Sequence, residues 1–422
     1  MFAALAIRFC LIPLYPGFRF PDEHWYAEIA QNLLAGKGYV MAGDGVQRFA
    51  ICKAPALPFT LAGWGFLFPL TAISIKIVNA LLSWFGIVFL TRAAIRLSNS
   101  RWPALLTALF AGFHPAVLFA SLTNYPQNGQ LLCIGLLVWN LARRERLSFC
   151  GMITDGMLIG LGALFVPTHI YAVPAVLTFY GVRGTVEGRA SKHDRPAALL
   201  LKGAAALFVG GLITVSPWLI RNAFVEKAFI PFTATAGQQF YTGFNKEAGM
   251  NTGTKVGCSD EMIADLRAAQ TGRKFEAVHW TYAMKWVEEN RLAAAKLWGL
   301  KFLNWFRWDN GTLNTEQAQA GAGSVWIQRL SSVFVLVVCV TGCVRRWPKE
   351  KRWPLFIAVL MLANAFGHAF FISRYRYRLP FEPLLLMAGF CGWGAWMRML
   401  KQKDTVGVTE IQDGTAGLHH EK

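Results

Sequence analysis

Apolar residues in this chain fall into long blocks separated by short clusters of Arg and Lys. A helix needs roughly 20 apolar residues to cross a bilayer. On that pattern about ten candidate spans are predicted, at 1–15, 72–90, 102–122, 129–142, 153–166, 170–182, 197–220, 325–344, 355–372 and 381–397, several of them short or proline-interrupted. The first block lacks a basic start and a small-residue cleavage site, so it reads as a first helix rather than as a signal peptide, and whether that span is complete stays open. The run 57–70 is apolar but short and contains Pro58 and Pro69, which suits a helix lying at the membrane interface.

The basic clusters at 92–101, 143–146, 183–202 and 345–352, with the tail from Arg398, all fall on one side if the spans simply alternate, which makes that side the inside. Left outside are 16–70, the turn around Asn124, the segment 221–324 and the turn 373–379. Were 57–70 to cross, every later basic cluster would face outward. The expected fold is therefore an all-α polytopic membrane protein of about ten transmembrane helices, with a helix in its first periplasmic loop and one large periplasmic loop. Its membrane unit is expected over 1–400, with loops at 16–70 and 221–324, and 401–422 as a polar, disordered cytoplasmic tail. No repeat of 20 to 50 residues is visible.

Composition agrees: of 422 residues, 54% are hydrophobic, 14% aromatic and only 16% charged. The formal charge of +18 is spread as flanks to apolar blocks, so it reflects topology and contact with anionic headgroups, not nucleic acid. Most of the eight cysteines lie in or beside apolar runs and no CxxC spacing occurs. Cys52 and Cys258 both fall in outer loops, and whether they pair is not deducible from sequence.

The first outer loop opens with Pro21-Asp22-Glu23-His24-Trp25-Tyr26, a helix start with proline first and two acids where the helix dipole favours anions. Gly36 suits its left-handed stop. Trp25, Ile29 and Leu33 form an apolar stripe, from which the helix is expected to lie on the membrane surface. Held near hydrocarbon, Asp22 and Glu23 would have raised pKa values, and a general base is the natural role. The blander reading is that they only complement the dipole.

At this loop the chain resembles the glycosyltransferase-C superfamily, specifically bacterial relatives of protein O-mannosyltransferases and of the lipid A aminoarabinose transferase, a family 39-like group. The resemblance is carried by Asp22-Glu23, Tyr26, Ala30 and Gly36-Lys37-Gly38-Tyr39. Two further blocks follow in order: Ser216-Pro217-Trp218-Leu219-Ile220-Arg221-Asn222, leading to Ile230-Pro231-Phe232, Gly237, Tyr241-Thr242-Gly243 and Asn245, and Arg376-Tyr377-Arg378-Leu379-Pro380. The resemblance spans most of the chain through about Arg398. It implies transfer of a sugar from a polyprenyl phosphate to a hydroxyl or phosphate acceptor outside the bacterial cytoplasmic membrane, with Asp22 at the reaction centre and Glu23 as its partner. The acceptor class, whether envelope lipid, glycan or protein, stays open, as does the sugar. One departure bears on a divalent metal: the second outer turn reads Thr123-Asn124-Tyr125-Pro126-Gln127-Asn128, with amides where many relatives carry an acid. The metal requirement is left unknown and weakly supported, since hard cations prefer carboxylates.

Arg374, Arg376 and Arg378 lie in an outer turn where the positive-inside rule would not place them, which makes them first candidates for the donor phosphate, with Arg221 and Lys53 as further ones. His24, Tyr26, Tyr241, Asn245 and His169 are candidates for lining the substrate cavity, and Trp305 and Trp308 for stacking on a sugar. No histidine has a partner at metal-ligand spacing, and each has a structural reading. No Gly-rich phosphate loop follows a strand, which argues against a nucleotide-sugar donor. The rival readings are a transporter or lipid-linked saccharide flippase, against which stand the lack of matching half-repeats and the long outer loop, and a non-catalytic envelope scaffold.

Overall fold

The computed structural model describes residues 1–42, 49–187, 196–251, 257–309, 322–346 and 350–398, and every regular element among them is helical. The expected tail, 401–422, lies outside the described residues. Helices occupy all the apolar blocks, and among the described residues three are long and apolar enough to cross a membrane alone: Ala72–Ser98, Ala197–Val225 and Val325–Arg346. A fourth crossing would be the pair Arg101–Gly112 and Pro115–Ser121, bent by 59°.

That bend has a local cause. Pro115 cannot donate to the helix, and the break leaves carbonyls and N–H groups to be satisfied otherwise. His114 caps Val117 N at 3.4 Å, and the buried Arg8 donates to Gly112 O at 2.9 Å. Other apolar blocks carry polar residues and prolines. Gln127–Arg143 carries buried Asn128, Gln130 and Asn140, and residues 167–172 form a 3-10 turn before Val173–Glu187.

Glycines set the closest helix contacts, as small residues do between membrane helices. A Cβ on Gly135 would meet Gly86 O at 2.4 Å, joining Gln127–Arg143 to Ala72–Ser98. Gly156 and Gly210 do the same for Phe149–Phe165 and Pro196–Val225. Helix 382–398 meets Ala322–Arg346 through Gly389, Gly392 and Gly342.

The first-loop helix is Pro21–Leu34, and the chain leaves it through Gly36 at φ 70°. Its expected apolar stripe does not rest on lipid. Ile29 is fully buried in a cluster with Tyr39, Ile51 and Trp218, with Trp25 and Leu33 packed at its edge, while Tyr26, Ala27 and Ala30 face a second cluster from helix Ala56–Gly65. Protein covers both sides because 49–62 and 218–234 fold over the helix. Cys52 and Cys258 are not joined by a disulfide; Cys52 Sγ donates to Ala234 O at 3.1 Å.

Candidate functional site

A cavity of about 760 Å³ opens where the first loop, the turns at 125–127 and 165–171, the large loop and the turn 368–377 converge. Asp22, in the first turn of Pro21–Leu34, points into it. Its Oδ1 accepts from Lys53 Nζ at 2.9 Å, and its Oδ2 lies 3.9 Å from Arg376 Nη1. Lys53 is steered by Trp25, whose ring centroid lies 3.9 Å from Nζ, while its own carbonyl accepts from Tyr39 OH at 3.0 Å. Arg376 donates to Tyr377 OH at 2.8 Å, and its Nε is buried without a partner among the described residues. Arg374 and Tyr26 complete this wall.

The charges decide what such a site prefers. Burial raises the Asp22 pKa, but Lys53 and Arg376 outweigh it and hold the carboxyl below its ordinary value, the reverse of the elevation expected from a position near hydrocarbon. Burial also opposes the charge on Arg376, and Tyr377 and Asp22 more than restore it. Burial and the adjacent Arg376 lower Arg374 to about 10, so it stays cationic at neutral pH. Burial and Asp22 push the Tyr26 phenol up, keeping it neutral. Among the described residues, one carboxylate against Lys53 and Arg376 leaves this wall with an excess of positive charge, in a pocket lined also by Phe165, Ile170, Phe229 and Phe371. Such a combination accepts an anion attached to an apolar chain.

The remaining candidates lie elsewhere. Glu23 faces away from the cavity: Oε1 accepts from Arg19 N and Phe20 N at 3.0 and 3.2 Å, Oε2 from Asn124 N at 2.8 Å, and Asn124 Nδ2 returns a bond to Glu23 O at 2.9 Å. It clamps the start of helix Pro21–Leu34 to the turn around Asn124, with both carboxylate oxygens committed. Arg378 is buried on the far side of its turn, donating to Trp305 O at 2.7 Å and Arg307 O at 3.1 Å, with Glu382 beside it. Alternate residues of a short helical turn point different ways, so only two of the three arginines reach the cavity. Arg221 is held by Glu226 at 2.7 Å and by the rings of Trp218 and Tyr39.

His24 is exposed with its ring against Phe18. Tyr241 OH donates to Gly257 O, and Asn245 closes helix Ala236–Gly243 by donating to Tyr241 O at 2.8 Å. His169 is buried against Gly162, where burial lowers its pKa to about 4, and its neighbours Thr168 and Ile170 line the cavity in its place. Trp305 is buried face to face with His368, 4.8 Å between centroids, so it offers no face to a sugar; Trp308 sits outside the cavity beside Trp326.

Sequence reasoning did not single out Gln127, Gln238, Gln239, Thr242 and Glu276, polar residues that line the same cavity. Burial raises Glu276, which accepts from Gly237 N at 3.3 Å. Uncharged amides carry no periodic or topological signal, although the quoted block around Gly237 and Tyr241 runs through them. A divalent cation finds a poor donor set here. Asp22 already faces two cationic side chains, the amides of Asn124 and Asn128 are spent on Glu23, Asn79 and backbone carbonyls, and among the described residues no group of three His, Cys, Asp or Glu could hold a metal.

No family model and no curated protein matches the chain. Among solved structures, it is similar to the crystal structure of ArnT from Cupriavidus metallidurans bound to undecaprenyl phosphate, at 16% identity and TM-score 0.42, covering 93% of this chain and 76% of that one. The apo form of the same protein matches at 16% identity and TM-score 0.37, covering 94% and 76%.

Proposed function

We propose that this protein is an integral-membrane glycosyltransferase that moves a sugar from a polyprenyl-phosphate carrier to a cell-envelope acceptor on the periplasmic side of the bacterial cytoplasmic membrane. The observation that carries the reading is the Asp22 carboxylate held between Lys53 and Arg376 in a 760 Å³ cavity with apolar walls. The acceptor, an envelope lipid, glycan or protein, would enter past Gln127, Gln238 and Gln239.

The chemistry follows from those charges. The acceptor oxygen attacks the anomeric carbon as the bond from that carbon to the phosphate oxygen breaks, its proton passes to Asp22, and polyprenyl phosphate leaves with the electron pair. In-line displacement inverts the anomeric centre. Arg374, Arg376 and Lys53 stabilise the charge that grows on the departing phosphate. In the free protein Lys53 and Arg376 make Asp22 a weak base. A donor phosphate that draws both cations onto its own oxygens places an anion near Asp22, and its proton affinity rises as the acceptor needs it.

The test is to bind polyprenyl phosphates, undecaprenyl phosphate first, to the purified protein. Replacing both Arg374 and Arg376 with Gln should weaken binding by about a hundredfold, at ~1.5 kcal/mol or more for each charge-assisted contact. Unchanged binding would remove the phosphate role. Movement of an intact lipid-linked saccharide across a vesicle membrane, with no transfer to any acceptor, would favour a flippase.

A further inference from the structure

A second cavity, of about 200 Å³, lies among the helix ends remote from the first, walled by Arg96, Arg144, Arg183, Arg346, Arg352 and Glu350. Its position follows from the helices the two cavities share. Gln127–Arg143 has Gln127 on the large cavity and Leu141 on the arginine cavity; Arg352–Ala369 has His368 on the large one and Arg352 on the other. At 1.5 Å per residue those ends are about 20–24 Å apart, approaching the thickness of bilayer hydrocarbon. The arginine cavity therefore sits at the opposite membrane boundary.

Its charges are only partly balanced. Glu350 is shared between Arg346 at 2.6 Å and Arg352 at 2.8 Å. Asp155 takes Arg144 bidentately at 2.7 and 2.8 Å, and Glu145 takes Arg96 at 2.8 Å. Arg183 donates to the carbonyls of Arg144 and Glu145. Glu350 thus serves two guanidinium groups at once, while Asp155 is buried behind the wall and Glu145 is exposed. Arg183 and Arg346 are buried, so the cationic lining is built into the fold. The volume equals about six or seven waters at ~30 Å³ each, enough for a phosphate and its ester substituents. Phe179, Leu97 and Trp353 line the same cavity, giving an ester's carbon chain an apolar exit beside the phosphate.

We propose that this cavity binds the phosphate headgroup of an anionic glycerophospholipid in the leaflet opposite the large cavity. Basic pockets between membrane helices recognise such headgroups, and guanidinium forks fit phosphate oxygens. Loss of both Arg96 and Arg352 removes two of the five cations while leaving Arg144 and the buried Arg183 and Arg346 in place.

The experiment is native mass spectrometry of the purified full chain with phosphatidylglycerol or phosphatidylcholine, and thermal unfolding with sodium phosphate added alone. Wild type should retain phosphatidylglycerol in preference to phosphatidylcholine, and the R96Q/R352Q double variant should bind it about thirtyfold more weakly, roughly fivefold per arginine. The variant Arg92→Gln, which changes a charge outside the cavity, should retain wild-type binding. Equal retention of the two lipids, or equal loss in Arg92→Gln and in the double variant, would overturn the assignment. Stabilisation by inorganic phosphate without selective lipid retention would overturn the lipid source and leave a soluble anion.

Discussion

Asp22 and Glu23 are neighbours in the chain with opposite fates, and the difference can be measured. Asp22 faces the cavity and two cations, whereas Glu23 accepts three backbone N–H groups that fasten two loops together. Asp22→Asn should lower turnover by about 10²- to 10⁴-fold, the usual worth of a positioned base, with stability changed by no more than ~1 kcal/mol for a partly exposed pair. Glu23→Gln must set an amide NH₂ against a backbone donor, so it should cost ~1–3 kcal/mol of stability. Turnover and unfolding temperature, measured on both variants, separate the roles; the opposite pattern would reverse the assignments. A pH profile tests the pairing. Because Asp22 is held below the ordinary carboxylate range, the acid limb of kcat/KM due to it should lie below about pH 4. Lys53→Met removes the leading cause of that depression and should move the limb upward. At this scale the ordered motifs carried Asp22 and Arg376, Arg376 also stood out as a cation where the positive-inside rule would not place one, and Lys53 was a further candidate from the same outer segment as Asp22. The motifs could not separate Arg376 from Arg378, since which side of a four-residue turn faces the cavity depends on what packs behind it, here the carbonyls of Trp305 and Arg307.

At the scale of elements, the helix at 21–34 was legible from Pro21, its acidic first turn and Gly36. Its environment was not: an amphipathic stripe has the same period whether lipid or protein covers it. The bend after Gly112 was hidden for a related reason, because Pro115 marks a break but the donor that satisfies Gly112 O is Arg8, more than a hundred residues earlier. The large loop is fastened similarly. Lys301, on helix Arg291–Asn304, donates to Gly243 O and Phe371 O from beneath the ring of Phe244. Burial lowers its pKa to about 7. The unfolded chain then binds more protons than the folded one between about pH 7 and its ordinary value near 10.4, so this lysine's contribution to stability grows with pH across that window, at up to ~1.4 kcal/mol per unit. The unfolding-temperature difference between wild type and Lys301→Met should therefore shift in favour of the wild type from pH 7 to 10. A constant difference would mean that Lys301 does not titrate there.

Over the whole molecule, the apolar blocks and basic flanks were enough to read an all-helical membrane protein, and the large cavity joins segments from both ends of the chain that the ordered motifs had marked. Among the described residues three helices, or four with the bent pair, are able to cross by length and composition, and proline breaks and buried amides interrupt other blocks. The account turns on one claim, that Asp22 accepts the acceptor's proton while Arg374, Arg376 and Lys53 hold the donor phosphate. The most direct measurement gives purified wild type and Asp22→Asn a panel of polyprenyl-phosphate sugars with envelope acceptors, following donor binding and sugar transfer separately. The wild type should transfer at least one sugar with inversion, and Asp22→Asn should bind that donor but transfer it at least a hundredfold more slowly. Full transfer by Asp22→Asn, or wild-type protein that binds no lipid-phosphate donor, would contradict it.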